Sequence, residues 1–316
     1  EAHDGAVAEL LLGHPVEDAA PELGMLHLSA TEHDRDLDLV SLAEELGDLA
    51  CLGLEVAADG SLTGIPPANA VGLNEFTVRV SDLAETSADT TLSITVTTAV
   101  LYLDANGTDA GSGVTGAIAW DASAVWSLDA LGTSATLSWV DGAAAVLSAG
   151  ADATDCAITV TGTRQISGLS LEEGNATISG DELALTAAAN TITAENSLSI
   201  ANTITGSSAG LAKSGPGTLV LSGENTYGGN TQVLQGVLEL GSTGRLYHNG
   251  PVADAVITIH TGATWRLPDF SEQGTGGLTE DRGRRIIDGG TLEITGNSHS
   301  SDRNFTVTAT GGTLRY

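Results

Sequence analysis

Basic side chains are scarce in this chain, yet several lie together near its carboxyl end. The chain has 11 Lys and Arg residues against 41 Asp and Glu residues. Arg282, Arg284 and Arg285 follow Asp281 and precede Asp288. An Arg side chain beside a carboxylate can bind an acidic sugar through paired hydrogen bonds. Local ion pairing on an exposed loop is the alternative interpretation. We favour local ion pairing, because no second cluster of catalytic residue types recurs elsewhere in the repeating part of the chain.

Two oxygen-rich segments could bind calcium, which prefers carboxylate and amide oxygens. The candidate ligands are Asp34, Asp36, Asp38 and Asp82 in the first segment, and Asp104, Asn106 and Asp109 in the second. Leu39 stands where an EF-hand loop requires glycine, so an EF-hand is not expected. Solvated acidic surface is the alternative for both segments. No other cofactor is expected.

Composition limits the function classes. The net charge of −30 repels phosphate groups, which excludes nucleic acids and anionic lipid surfaces as partners. Hydrophobic residues make up 41% of the chain but aromatic residues only 3%, so the core must be built from small aliphatic side chains. Cys51 and Cys156 lack the spacing of a zinc site, and we expect separate thiols rather than a disulfide.

The second part of the chain repeats. Five segments open with glycine and then alternate apolar with polar residues, namely 217–221, 236–240, 262–267, 290–294 and 312–314. Their first glycines are 19, 26, 28 and 22 residues apart. A period in this range is typical of solenoids, in which one short strand cannot bury its inward face without its neighbours. The repeats therefore predict a parallel β-helix.

A familiar motif lies inside these repeats. Residues 211–231, LAKSGPGTLVLSGENTYGGNT, followed by Gly236-Val237-Leu238, are similar to the passenger-associated transport repeat of bacterial autotransporters. The resemblance implies a right-handed β-helical passenger on the outside of a Gram-negative cell. Any association with the outer membrane would then run through segments outside this chain. The chain begins with Glu1 and shows no secretion signal, so we expect a piece of a longer precursor.

Residues 1–100 follow a different pattern. Apolar residues alternate around Phe76 and around Leu92, which is typical of half-buried strands. Segments 53–66 and 76–82 resemble the cadherin-like, immunoglobulin-like modules of bacterial surface proteins. We therefore expect a small β-sandwich, with a short helix possible between Leu37 and Leu49.

Three tryptophans, Trp120, Trp126 and Trp139, lie where the β-helix should begin. The first turn of a solenoid needs a cap, because its edge would otherwise expose unpaired backbone. A stacking platform for sugars is the alternative, and we favour the cap.

The sequence thus predicts an all-β chain, with a sandwich over 1–100 and a right-handed parallel β-helix over 101–316. We expect a non-catalytic extracellular spacer, display scaffold or adhesin at a bacterial surface. Its expected partner is an extracellular glycan or another cell-surface molecule. The alternative is a β-helical protein that binds or degrades polysaccharides through the Arg282–Asp288 loop.

Overall fold

The computed structural model describes residues 54–56, 62–64, 72–78, 90–96, 98–122, 124–246, 256–268, 284–296 and 305–316. Contacts between Cα atoms divide the chain into two units, Glu1–Thr98 and Ala99–Tyr316. In the described ranges the regular elements are β-strands. None of these ranges contains a helix long and apolar enough to cross a membrane.

The first unit contributes four described strands: β1 (Leu54–Val56), β2 (Leu62–Gly64), β3 (Gly72–Val78) and β4 (Thr90–Val96). β1 pairs with β2 and β3 with β4, both antiparallel, and Phe76 lies opposite Leu92. The strands expected around these two residues are confirmed. The possible helix at Leu37–Leu49 and Cys51 lie outside the described residues, and the sandwich stays a prediction.

The second unit is built from many short strands. In chain order they are β5 (Val100–Leu103), β6 (Gly116–Ala119), β7 (Trp126–Ser127), β8 (Ala144–Val146), β9 (Cys156–Ile166), β10 (Gly168–Leu171), β11 (Ala176–Leu185), β12 (Ala189–Ala194), β13 (Ser197–Ile200), β14 (Thr203–Thr205), β15 (Gly210–Ser214), β16 (Thr218–Leu221), β17 (Glu224–Asn225), β18 (Thr231–Val233), β19 (Gly236–Leu240), β20 (Arg245–Leu246), β21 (Val256–His260), β22 (Ala263–Leu267), β23 (Arg284–Asp288), β24 (Thr291–Ile294), β25 (Phe305–Val307) and β26 (Thr313–Arg315).

Successive turns of the chain place strands in two long sheets. Sheet I has the order β25-β23-β21-β18-β15-β12-β10-β8-β5-β7, and sheet II the order β26-β24-β22-β19-β16-β13-β11-β9-β6, with β14 also beside β11. Neighbouring strands in both sheets pair in parallel, apart from the antiparallel β5 and β7. A third, two-stranded sheet joins β17 to β20. The second unit is therefore a parallel β-solenoid, as the repeats predict.

The core consists of columns of apolar side chains, one residue from each turn. In sheet II, Leu198 pairs with Leu219 and Leu219 with Leu238, and all three are fully buried. The same column continues through Trp265 and Leu292. The five glycine-led segments thus supply the consecutive strands β16, β19, β22, β24 and β26 of one sheet. A strand of this length buries its inward side chains only against the next turn, so the turns are stable together and not singly.

Cys156 stands near the start of the same column. It pairs with Ala176 in β11, which in turn pairs with Leu198, and it is a buried free cysteine. Burial raises the pKa of its thiol, with a smaller contribution from the carboxylate of Asp155. A thiol in this position packs as a small apolar side chain.

Candidate functional site

The carboxylates predicted to bind calcium are only partly described. Asp34, Asp36, Asp38 and Asp82 lie outside the described residues. Asp104 follows β5 and is fully buried, and its Oδ1 accepts the backbone N–H groups of Asn106 (3.1 Å) and Gly107 (3.0 Å). Asp109 is exposed at the surface of the same turn. Nowhere in the described ranges do three or more His, Cys, Asp or Glu side chains cluster to hold a metal. Of the described candidates, Asp104 is buried, Asn106 is half-buried and Asp109 is exposed.

The Arg-rich segment lies in the sheet rather than in a loop. Asp281 and Arg282 are outside the described residues, but Arg284–Asp288 forms β23 in the interior of sheet I. Arg285 is buried, with 5% of its surface exposed. The expectation of an exposed loop is wrong for Arg284–Asp288. These residues form β23, which pairs with β21 and β25 inside sheet I.

Asp288 is engaged with neighbouring turns. Its Oδ1 accepts a hydrogen bond of 2.6 Å from the Thr308 hydroxyl, and its Oδ2 lies 3.7 Å from Nδ1 of His260. The hydrogen bond from Thr308 holds the pKa of Asp288 below its usual value. Of the described side chains of this segment, Arg285 is buried and Asp288 is already hydrogen-bonded, so neither is free to bind an acidic sugar.

The three tryptophans form one cluster at the first turns of the solenoid. Their ring centroids are 4.8–4.9 Å apart in all three pairs. Trp120 and Trp126 are fully buried, and Nε1 of Trp126 donates to the carbonyl oxygen of Trp120 at 2.8 Å. Trp139 is half-buried and donates from Nε1 to Asp141 at 3.0 Å. Since two of the three rings are fully buried, the packing favours the cap over the sugar platform.

Lys213 has a structural role that sequence reasoning missed. It points into the core from β15 and is fully buried. Its Nζ donates to the carbonyl oxygens of Ser214 (2.7 Å), Gly215 (2.8 Å) and Gln235 (3.1 Å). Burial lowers the pKa of this ammonium group to about 8. The available signal was that the chain's single lysine occupies an inward, period-two position after Leu211.

Other residues of the same repeat also bond one turn to the next. Asn225 is buried; its Oδ1 accepts the N–H of Ile204 at 3.1 Å, and its Nδ2 donates to the carbonyl oxygens of Gly223 and Arg245 at 2.9 and 3.0 Å. These bonds join three successive turns and satisfy backbone groups that the corners leave without strand partners. Lys213 and Asn225 are thus polar residues of the repeat that bond to the backbone inside the solenoid.

One outward row of sheet II carries charges of alternating sign. Glu239 pairs in register with Arg266, Arg266 with Glu293, and Glu293 with Arg315. Arg266 bonds Glu239 at 2.9 Å and Glu293 at 2.7 Å, and Arg315 bonds Glu293 at 3.3 Å. The hydrogen bond from Arg266 lowers the pKa of Glu293 below its ordinary 4.5. We call these four residues the charge ladder, and it links four turns across the surface.

Replacing Arg266 with Gln should lower the free energy of unfolding by about 1 kcal/mol at low salt, because two ion pairs of a partly buried network are lost. In about 1 M salt the loss should shrink, since screening weakens the native pairs. The part of the loss that is due to Glu293 should shrink as the pH falls below 4.5 and vanish only below the lowered pKa of the folded state, because the protonated carboxyl no longer pairs with Arg266. Urea unfolding followed by circular dichroism measures each value.

The control for Arg266→Gln is Arg164→Gln, which removes a single pair with Asp121 at 3.5 Å. We expect it to change stability by less than about 0.5 kcal/mol. Equal losses for the two variants at both salt concentrations would contradict a cooperative charge ladder.

A shallow groove of about 270 Å³ crosses β12, β15 and β18 on sheet I. Small residues line it, among them Ala188, Ser208, Gly210 and Gly229, together with Asn230 and Gln232. None of the described residues that line this groove is acidic, basic or a histidine. It offers backbone and amide groups for contact, but no side chain able to transfer a proton.

Comparisons with known proteins agree with this geometry. Residues 211–240 match the passenger-associated-transport-repeat family. A segment of 147 residues is 34% identical to the Adhesin BmaC autotransporter of Brucella suis biovar 1 (strain 1330). That segment covers 46% of this chain and 4% of the adhesin's own length. No solved structure matches the chain. The matched repeat runs from β15 through β16 and β18 to the end of β19, about one and a half turns of the solenoid.

Proposed function

We propose that this chain is part of the extracellular passenger of an autotransporter-type adhesin, in which the solenoid displays adhesive surface away from the cell. The observation that carries the proposal is the passenger-associated transport repeat, which is built into the continuous core of the solenoid. The 34% identity with an autotransporter adhesin supports the adhesive role.

The solenoid suits a display role because its turns are linked in several ways. Each turn pairs with the next through both sheets, through the buried columns and through side chains such as Asn225. A structure with bonds between every pair of neighbouring turns resists bending and can extend turn by turn as the chain emerges. We therefore propose that the solenoid acts as a stiff scaffold as well as a binding surface.

The charge of the chain indicates the kind of partner. With a net charge of −30, the chain repels acidic polysaccharides and attracts basic surfaces over the range of a Debye length. We propose that the partner is a protein with a basic surface on another cell or in its matrix. Contact would be made by the outward faces of the sheets, because the groove on sheet I has no charged lining.

Adhesion can be tested with beads that carry the full chain. We expect such beads to bind epithelial monolayers several-fold better than albumin-coated beads. The binding should fall as salt is raised, because charge complementarity chiefly accelerates association at low ionic strength. Counting bound beads over a salt series measures both effects.

The control separates folding from adhesion. In Gly217→Ala the added methyl group overlaps the backbone of the preceding turn, so beads that carry this variant should lose binding. In Gly168→Ala the methyl group makes only ordinary contacts, so beads that carry that variant should keep binding. If the folded wild-type chain binds no better than albumin at low salt, the adhesive function is wrong for this segment. If disrupted and intact solenoids bind equally, adhesion does not depend on the fold.

A further inference from the structure

The turn that follows β5 is tightly built around Asp104. The backbone N–H of Asp104 donates to the carbonyl oxygen of Val125 at 2.9 Å. The backbone N–H of Ala105 donates to the carbonyl oxygen of Ser112 at 2.6 Å. The N–H of Ser112 in turn donates to Oδ1 of Asp152 at 2.6 Å. These bonds fix residues 104–112 against the neighbouring turns, so the polar atoms inside the turn are held in place.

Two oxygens in this turn are buried without a hydrogen-bond donor. One is Oδ2 of Asp104, whose side chain is fully buried, and the other is Oδ1 of Asn106. A buried carboxylate oxygen without a partner costs several kcal/mol, because it loses its hydration and gains nothing in return. In the described part of the chain, no protein group supplies the missing positive charge or proton.

The surroundings of Asp104 make its charge still less favourable. Burial raises the pKa of this carboxyl, and the nearby carboxylates of Asp129 and Asp152 raise it further. Two backbone N–H groups act in the opposite direction but leave the net change upward. The neighbouring carboxylates add negative charge around the unpartnered Oδ2, which favours a cation there.

We propose that a calcium ion binds in this turn, with Oδ2 of Asp104 and Oδ1 of Asn106 as side-chain ligands. Calcium takes about six to eight oxygen ligands, so backbone carbonyl oxygens and water would complete the set around these two side chains at a weak extracellular site. Such sites have dissociation constants of about 10⁻⁴–10⁻³ M. The proposal is independent of the adhesive function, since it concerns the stability of the first turns of the solenoid.

The tryptophan cluster provides a direct readout. Trp126 pairs with Leu103, the residue before Asp104, so a terbium ion at this site would lie close to an indole ring. Terbium replaces calcium at oxygen sites and emits when a nearby tryptophan is excited. We expect the full chain to give saturable terbium emission on tryptophan excitation, and millimolar calcium to compete with it. Sodium chloride at the same ionic strength should not compete with terbium.

The variant Asp104→Asn tests the assignment and should fold. Its Oδ1 can still accept the N–H groups of Asn106 and Gly107, which keeps the turn in place. We expect at least a tenfold loss of terbium emission, no response of the melting temperature to calcium, and unchanged circular dichroism. The control Glu224→Gln removes an exposed acid in β17 and should behave as the wild type does.

Calcium should also raise the melting temperature of the wild type. At about ten times its dissociation constant, it should raise that temperature by about 3–6 °C. The proposal is overturned if Asp104→Asn keeps the emission, or if neither terbium nor millimolar calcium binds the wild type. It is also overturned if the wild type with chelator gains stability on acidification relative to Asp104→Asn while calcium has no effect, because a proton would then fill the site.

Discussion

Gly217→Ala should lower the free energy of unfolding by at least about 3 kcal/mol, because the added methyl group meets backbone rather than a movable side chain. A Cβ at this position would lie 1.9 Å from the carbonyl oxygen of Asn196 and 2.7 Å from that of Ala194. The carbonyls belong to the preceding turn, so relief of the overlap requires two stacked turns to separate. Urea unfolding and the loss of β-sheet circular dichroism measure the effect.

Gly168→Ala is the matched control for this prediction. Gly168 and Gly217 are both half-buried. A Cβ added at Gly168 would lie 3.4 Å from the carbonyl oxygen of Thr191, which is an ordinary van der Waals contact. Neither glycine adopts a left-handed backbone conformation, so the comparison isolates the steric contact. We expect a change of less than about 1 kcal/mol for Gly168→Ala. Similar losses for the two variants would show that the spacing of the turns does not depend on Gly217.

Lys213→Met should lower the free energy of unfolding by about 2–4 kcal/mol near neutral pH. The substitution keeps the apolar stem but removes the donor from three carbonyl oxygens, each of which costs about 1–3 kcal/mol when buried without a partner. Removal of a desolvated charge offsets part of that cost. Gln232→Met, at an exposed position of β18, is the control and should have little effect. A neutral result for Lys213→Met would contradict the role of Lys213 at the corner.

The same residue predicts a dependence on pH. Burial lowers the pKa of Lys213 to about 8 from its ordinary 10.5, so the unfolded chain holds this proton to a higher pH than the folded chain does. Between these two values the unfolded state binds more protons, and stability rises with pH. The stability gap between the wild type and Lys213→Met should therefore widen from pH 8 to pH 10.5. A constant gap would show that Lys213 stays protonated throughout this range.

Part of the fold could be predicted because it depends on local patterns. Glycine followed by alternating apolar residues marks a strand with one buried face, and five such segments at solenoid spacing became consecutive strands of sheet II. The strands of sheet I carry weaker signals. β18, for example, has only three residues, Thr231–Val233, and its place beside β15 and β21 is set by the turns on either side.

The candidate sites were harder to predict, because residue type does not determine which way a side chain faces. Arg285 and Asp288 read as surface charges, yet β23 buries the first and bonds the second to Thr308 in the next turn. Asp104 was a reasonable candidate for calcium on oxygen content alone, but its burial and its unpartnered Oδ2 became apparent only in the folded turn.

The sequence by itself determined that this acidic chain carries a β-solenoid with a passenger-associated transport repeat, since charge, glycine spacing and strand periodicity are properties of the chain. The tertiary structure decided which groups meet across turns. The hydrogen bond from Lys213 to Gln235 and the charge ladder join residues that are brought together only when one turn stacks on the next. Their positions depend on the register between parallel strands, which is set by the whole stack and not by any single segment.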